Sequence, residues 1–270
     1  MYWCPTGLLS FLPLHAARPG TRPDDGQTSR QTTEPDPDPV PAVLDRVASS
    51  YTPTLRALLH ARAALAVPTA PPRALIVSVP TSLSVPTSLE QSPLPGAARE
   101  VEVVQARLPR ARVLAGAQAV SATVLDAMEE ADWVHLACHG EQDPLAPSRG
   151  RLSMFDGPLT VRRLAQRDIR HGRLAVLSAC ETVRGGVDLA DEAITLASAV
   201  QLAGFRHVIG TQWAALDPVA VRFVDAVYAE LAAKGTDAGQ AGRGVHLACW
   251  RLRERYGDPL FWAPFVHVGP

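Results

Sequence analysis

The chain has 270 residues with a formal net charge of -1, and 47% of it is hydrophobic against 20% charged. That content supports a sizeable core and excludes wholesale disorder, and the near-neutral balance leaves no electrostatic footprint for nucleic acid or an anionic membrane surface. Two thirds of its 24 prolines fall before residue 96, so the front of the chain is turn-rich and the back is regular.

Taken in chain order, residues 1–17 alternate apolar and turn residues and are expected to form a short hairpin. Their apolar run has no Lys or Arg before Arg18 and is interrupted by Pro5 and Pro13, so it is not read as a secretory leader. Residues 18–41 hold almost no apolar side chain and read as a surface loop. Residues 44–65 are expected to carry one helix after the Tyr51-Thr52-Pro53 break. The unbroken apolar run at 73–79 suits a strand buried on both faces. The copies VPTSLS and VPTSLE over residues 79–90 are far shorter than the ~20–50-residue periods of repeat architectures and read as a loop expansion.

From residue 95 the pattern alternates. Helices are predicted at 97–108, 119–129, 160–166, 190–203, 218–233 and 238–256, and strands at 111–114, 133–137, 174–178 and 207–211. A short segment lies at 151–155 and a final one at 260–268. This alternation predicts an α/β fold, a mainly parallel sheet with helices on both faces, preceded by an irregular Pro-rich N-terminal portion. The chain is expected to be a single domain over 1–270, with 1–72 as the N-terminal portion and 73–270 as the α/β core. No uncharged stretch of about 18 apolar residues offers a transmembrane helix. Four cysteines, Cys4, Cys138, Cys180 and Cys249, are too few for a disulfide framework and point to a reduced, cytoplasmic setting.

Chemistry in such sheets gathers at the carboxyl ends of strands. Two predicted strands run into reactive side chains, one through VHLACHG to His139 and Gly140, the other through AVLSACET to Cys180. The 41 residues between His139 and Cys180 are about one crossover unit, so the two strands are expected to be neighbours. An imidazole can take the thiol proton and generate a nucleophilic thiolate. The backbone N–H groups of Gly140 and Cys180 are candidate donors to a developing oxyanion. The competing reading is that both side chains only pack.

His139-Gly140 and Ser178-Ala179-Cys180-Glu181-Thr182 resemble the signature of the CHAT family, caspase-like domains associated with tetratricopeptide repeats. Further blocks resemble it in the same order: WCPTG from Trp3, FLPLHAA from Phe11, SYTPT from Ser50, DGPLT from Asp156, DEA from Asp191, Ala203-Gly204 before the segment ending Gly210 to Trp213, and FWAPFV from Phe261. The resemblance implies a caspase-haemoglobinase-like fold, shared with separases and gingipains, and cysteine endopeptidase activity with Cys180 and His139 as the dyad. A protein or peptide is the implied substrate, and a tetratricopeptide-repeat or other regulatory protein the implied partner. No 34-residue period occurs in this chain, and QWAALD over 212–217 departs from the family pattern. The alternative is a catalytically latent caspase-like scaffold or signalling module that binds a protein partner.

Asp143, Asp188 and Asp191 are the candidates for an acidic specificity pocket, with Glu141 and Glu192 beside them; Arg149 and Arg151 would instead favour an acidic residue. His135 shares a strand face with His139, but a zinc site needs about four ligands and no second cluster supplies them, so neither metal nor cofactor is expected. Gly185-Gly186 reads as ordinary turn chemistry. Trp213 and Trp262 are read as packing anchors. Serine-hydrolase and nucleotide-binding motifs are absent from the sequence.

Overall fold

The computed structural model describes residues 1–19, 41–63, 70–80, 93–142, 149–179, 182–183 and 195–270. In chain order the elements are β1 (Tyr2–Trp3), β2 (Ser50–Tyr51), α1 (Leu55–Arg62), β3 (Ala74–Ser78), α2 (Pro95–Arg107), β4 (Arg112–Ala115), α3 (Ser121–Glu130), β5 (Trp133–Ala137), β6 (Gly140–Glu141), β7 (Arg151–Met154), β8 (Gly157–Thr160), α4 (Val161–Ala165), β9 (Leu174–Ser178), α5 (Leu196–Ala203), β10 (His207–Thr211), α6 (Asp217–Ala233), α7 (Ala241–Tyr256), α8 (Pro259–Trp262) and β11 (Phe265–Val268).

Among the described residues eight strands form one sheet in the order β1-β2-β11-β10-β9-β5-β3-β4, and β6-β7-β8 form a small antiparallel one. Strands β4, β3, β5, β9 and β10 are mutually parallel, and β11 turns back antiparallel to β10. The fold is α/β with a mainly parallel sheet, as the alternation of periods predicts. Every residue of β3 and β5 is buried, because one apolar layer packs on each face. Leu75, Val77, Val134, Leu136 and Leu177 face one core with α3, α4 and α5. Ile76, Trp133, Leu174 and Val176 face the other with α2, α6 and α7. The chain leaves β3 for β4 on one side and returns to β5 on the other, which makes the β3–β5 boundary a topological switch point, where open α/β sheets bind ligands.

Local signals explain where the helices start. Pro95 and Pro218 stand in the first turns of α2 and α6, where a missing N–H costs nothing. Before α5, Thr195 Oγ1 accepts from Ser198 N–H and Ser198 Oγ accepts from Thr195 N–H, a reciprocal cap. The predicted 238–256 helix divides into a 3₁₀ turn, Ala238–Gln240, and α7. The final segment is a short helix, α8, followed by β11. Helix α5 begins at Leu196, and the expected extension over 190–194 lies outside the described residues.

The hairpin expected in residues 1–17 is not formed. Instead β1 pairs in parallel with β2, and 3₁₀ turns follow at Gly7–Phe11 and Leu14–Ala16. Two prolines deprive that run of continuous strand donors, so its two paired residues find their partner at Ser50 and Tyr51, where Trp3 Nε1 donates to Ser49 Oγ at 2.9 Å. Buried His15 then ties this front to the back: its Nδ1 lies 2.8 Å from the Tyr51 hydroxyl, and its ring meets Trp262 edge-on at 6.2 Å. Nearly all of the expected 18–41 loop and the VPTSL duplication lie outside the described residues. Among those described, no helix is long and apolar enough to cross a membrane.

A chain of buried imidazoles crosses the far end of the main sheet. His207 Nδ1 is 3.0 Å from His267 Nε2, and His267 Nδ1 is 2.8 Å from Ser50 Oγ. Burial pulls the His207 and His15 pKa values down to about 4, and burial, then neighbouring His207, pushes His267 well below its usual value. Their folded pKa values lie below the unfolded one near 6.5, so the folded chain holds fewer protons. The associated stability is present above about pH 6.5 and is lost as pH falls through the 6.5-to-4 window, at on the order of 3 kcal/mol each for His15 and His207. The urea midpoint is therefore expected to drop steeply between pH 7 and 4.5, and His207→Gln to flatten part of that drop. A midpoint constant over this range contradicts the account.

Candidate active site

The two strands that lead to His139 and Cys180 are adjacent and parallel, with Trp133 opposite Leu174 and Ala137 opposite Ser178. His139 stands two residues after Ala137, and in the sequence Cys180 stands two residues after Ser178. Cys180 and Glu181 lie outside the described residues, as do Asp143, Asp188, Asp191, Glu192, Gly185 and Gly186.

On the histidine side, the His139 carbonyl accepts from Ser153 N–H at 2.9 Å, and Gly140 lies opposite Leu152 in β7. In an antiparallel ladder, opposed residues alternate between pairs that exchange both backbone bonds and pairs that exchange none. The His139–Ser153 bond makes Gly140–Leu152 one of the latter, so the Gly140 N–H turns away from β7. The small sheet is fixed in turn at α3, where Asp156 Oδ1 accepts from Ser121 N–H at 2.7 Å. Glu141 and Arg151, read from sequence as pocket candidates of opposite sign, instead pair with each other at 2.6 Å across β6 and β7. Arg149 is exposed.

On the cysteine side, the residues flanking 180–181 are anchored by β10. Thr211 Oγ1 donates to the Ala179 carbonyl at 2.8 Å, and Thr211 N–H donates to Thr182 Oγ1 at 3.0 Å. The Thr182 carbonyl accepts from Ala197 N–H at 2.9 Å at the start of α5. Thr182 is fully buried, and a side chain on neighbouring Gly210 would collide with Thr182 and Val183. A glycine inside a strand at a point of close backbone approach is the expected solution. Both threonines stand in blocks the sequence singles out, but their bonds join residues 29 and 32 positions apart, which no local pattern reports.

Between α2 and α6, against the ends of β5, β9 and β10, opens a narrow, solvent-open cleft, about 40 Å³ of it wide enough for water. Leu94, Ala97, Ala137, Ala179 and Ala215 give it apolar walls; Ser178, Thr211, Glu100 and Asp217 add polar groups. Asp217 Oδ2 accepts from Gly96 N–H at 2.9 Å, joining the starts of α2 and α6. His135 is consumed by a buried hydrogen bond with Glu100 at 2.8 Å. Trp262 is buried and donates to the Gly257 carbonyl, and Trp213 donates to that of Leu260, as packing anchors do. Among the described residues, no group of three or more His, Cys, Asp or Glu is arranged to hold a metal ion.

The family model described as the CHAT domain matches residues 1–270. The chain belongs to the CHAT domain family. Solved structures sharing the fold include the Arg-specific cysteine proteinase gingipain R, with 13% identity and a TM-score of 0.50 over 73% of this chain and 46% of that one. They also include separase in the Saccharomyces cerevisiae separase–securin complex, with 13% identity and a TM-score of 0.56 over 83% of this chain and 14% of that one. The CHAT chain thus spans under half the length of either protein. No curated protein sequence matches it. The caspase-like fold implied by the sequence blocks is therefore the one found.

The threonine anchors of this CHAT domain give a direct test. Thr211→Val keeps the shape but leaves the buried Ala179 carbonyl without its hydroxyl donor, which is expected to lower stability by about 1–3 kcal/mol. A denaturant midpoint equal to that of the wild type excludes the anchor.

Proposed function

We propose that this CHAT domain is a cysteine endopeptidase whose dyad is Cys180 and His139. The observation that supports this reading most is the register of β5 and β9. Ala137 faces Ser178, and the two reactive residues follow at the same two-residue interval on neighbouring parallel strands. In the proposed cycle His139 takes the Cys180 proton, and the thiolate attacks the peptide carbonyl carbon. The oxyanion is met by the N–H groups of Gly140 and Cys180. The C–N bond then breaks as His139 returns the proton to the leaving amine, leaving a thioester. Water, deprotonated by His139, attacks the thioester; the acid leaves and the thiol regains its proton.

Cys180→Ala and His139→Ala are each expected to abolish peptide cleavage while the far-ultraviolet circular dichroism stays that of the wild type. A thiol-reactive peptide ketone should label Cys180, read by mass spectrometry. Equal cleavage by the wild type and Cys180→Ala excludes the dyad, whereas no cleavage by either favours the alternative, a latent scaffold that binds a protein partner. A tetratricopeptide-repeat or other regulatory protein is the proposed partner in either case, supported by the family association.

The cleft beside the strand ends is proposed to take the substrate side chain that precedes the cut bond. With both Glu100 oxygens held by His135 and Ser178, the carboxylate the cleft offers among the described residues is Asp217, with no Lys or Arg, which favours a basic side chain; Asp143, Asp188 and Asp191 are proposed as further acidic walls. Asp217→Asn is expected to lower kcat/KM for peptides with Arg before the cut by about tenfold and to spare peptides with an apolar residue there. A uniform loss across a peptide library contradicts this assignment.

A further inference from the structure

Glu100 sits in the stripe Ala97, Glu100, Val104 with which α2 faces the sheet, and it is only 3% exposed. A carboxylate there is costly to desolvate, and an apolar side chain of similar volume usually serves a core as well or better. Its two oxygens act on two different strands. Oε2 lies 2.8 Å from His135 Nε2 in β5, and Oε1 accepts from the Ser178 hydroxyl in β9 at 2.8 Å. Behind His135, Nδ1 lies 3.3 Å from the Tyr228 hydroxyl in α6.

An ionised carboxylate only accepts, so beside it Nε2 carries a proton; in the neutral imidazole Nδ1 then accepts from the Tyr228 hydroxyl. Burial, then the nearby Glu100 carboxylate, pushes the Tyr228 pKa up, which keeps its hydroxyl protonated as that bond requires. Tyr228, His135, Glu100 and Ser178 thus form one satisfied line across α6, β5, α2 and β9.

The line runs diagonally across the ladder, from His135 in the middle of β5, opposite Val176, to Ser178 at the last paired position of β9. His135 precedes His139 by four residues, and Ser178 precedes Cys180 by two. We propose that Glu100 is a positioning residue that clasps the middle of β5 to the carboxyl end of β9 and thereby sets the spacing between His139 and Cys180. The inference rests on the peptidase reading above, and it assigns Glu100 a part in the reactivity of the thiol without contact with the reacting atoms.

The test is the rate of Cys180 alkylation by iodoacetamide from pH 5 to 9, followed by mass spectrometry of the peptide that carries Cys180. It compares wild type with His139→Ala, Glu100→Gln, Ser178→Ala and Ser178→Thr, each checked for fold by circular dichroism. His139→Ala is expected to lose the enhanced rate near neutral pH. Glu100→Gln, which cannot accept from both strands, should fall about tenfold or more at pH 7, with a profile displaced to higher pH. Ser178→Ala should move the same way, and Ser178→Thr, which keeps the hydroxyl, should restore the wild-type profile. A burial role without positioning lowers stability and leaves the profile in place. Glu100→Gln retaining the wild-type profile while His139→Ala loses it overturns the clasp and spares the dyad; if Glu100→Gln does not fold, the same result for Ser178→Ala overturns it. A wild-type profile in His139→Ala overturns the dyad, and the clasp with it.

Discussion

The parallel pairing of β5 with β9 is the constraint on which the rest of the molecule depends. Parallel strands need both faces covered, and this pair receives α3, α4 and α5 on one face and α2, α6 and α7 on the other. With the backbone donors consumed in the ladder and the side chains consumed in two cores, the register has little freedom. A slip by one residue would turn every apolar side chain to the wrong layer. The proposed site inherits this rigidity, because the chain leaves both strands at matched positions.

The loops that leave these strands are anchored by elements distant in sequence. On one side the β6–β7–β8 sheet holds the backbone at His139 and is itself fixed to α3 through Asp156. On the other, Thr211 and Thr182 secure both flanks of residues 180–181 to β10 and α5. The turn-rich front of the chain extends the main sheet through β2 and β1 and is held by His15, Tyr51 and Trp262. Such polar ties between elements specify geometry more than they add to stability, since exchange of water partners leaves only about 1 kcal/mol per bond.

Much of this was legible in the chain before any coordinates. The strands β5, β9 and β10 have the bounds expected, because short, unbroken, branched-rich runs flanked by turns leave little choice between helix and strand. The α/β class follows from their alternation with helices. The β6–β8 sheet was harder to see: its strands are short, Gly and Pro interrupt them, and their pairing sets the signal rather than their composition. The parallel β1–β2 pair joins residues nearly fifty positions apart, which no local pattern reports. Glu100 lies among other charged residues, Arg99 and Glu102, and looks like part of a solvated face. The one available clue is its place in step with Ala97 and Val104 on the apolar stripe. Glu141 and Arg151 read as independent pocket charges only because their cross-strand pairing is invisible in one dimension.

The two-residue interval from Ala137 to His139 also bears on how this domain can vary over evolutionary time. The chain bends at Cys138 directly after β5, so a single-residue insertion or deletion in that interval re-aims the imidazole as it leaves the sheet, whereas insertions farther out merely lengthen a connection. Length variation is therefore partitioned. Segments far from the strand ends can grow or shrink in a lineage, and the few residues between a ladder's last rung and its reactive side chain cannot.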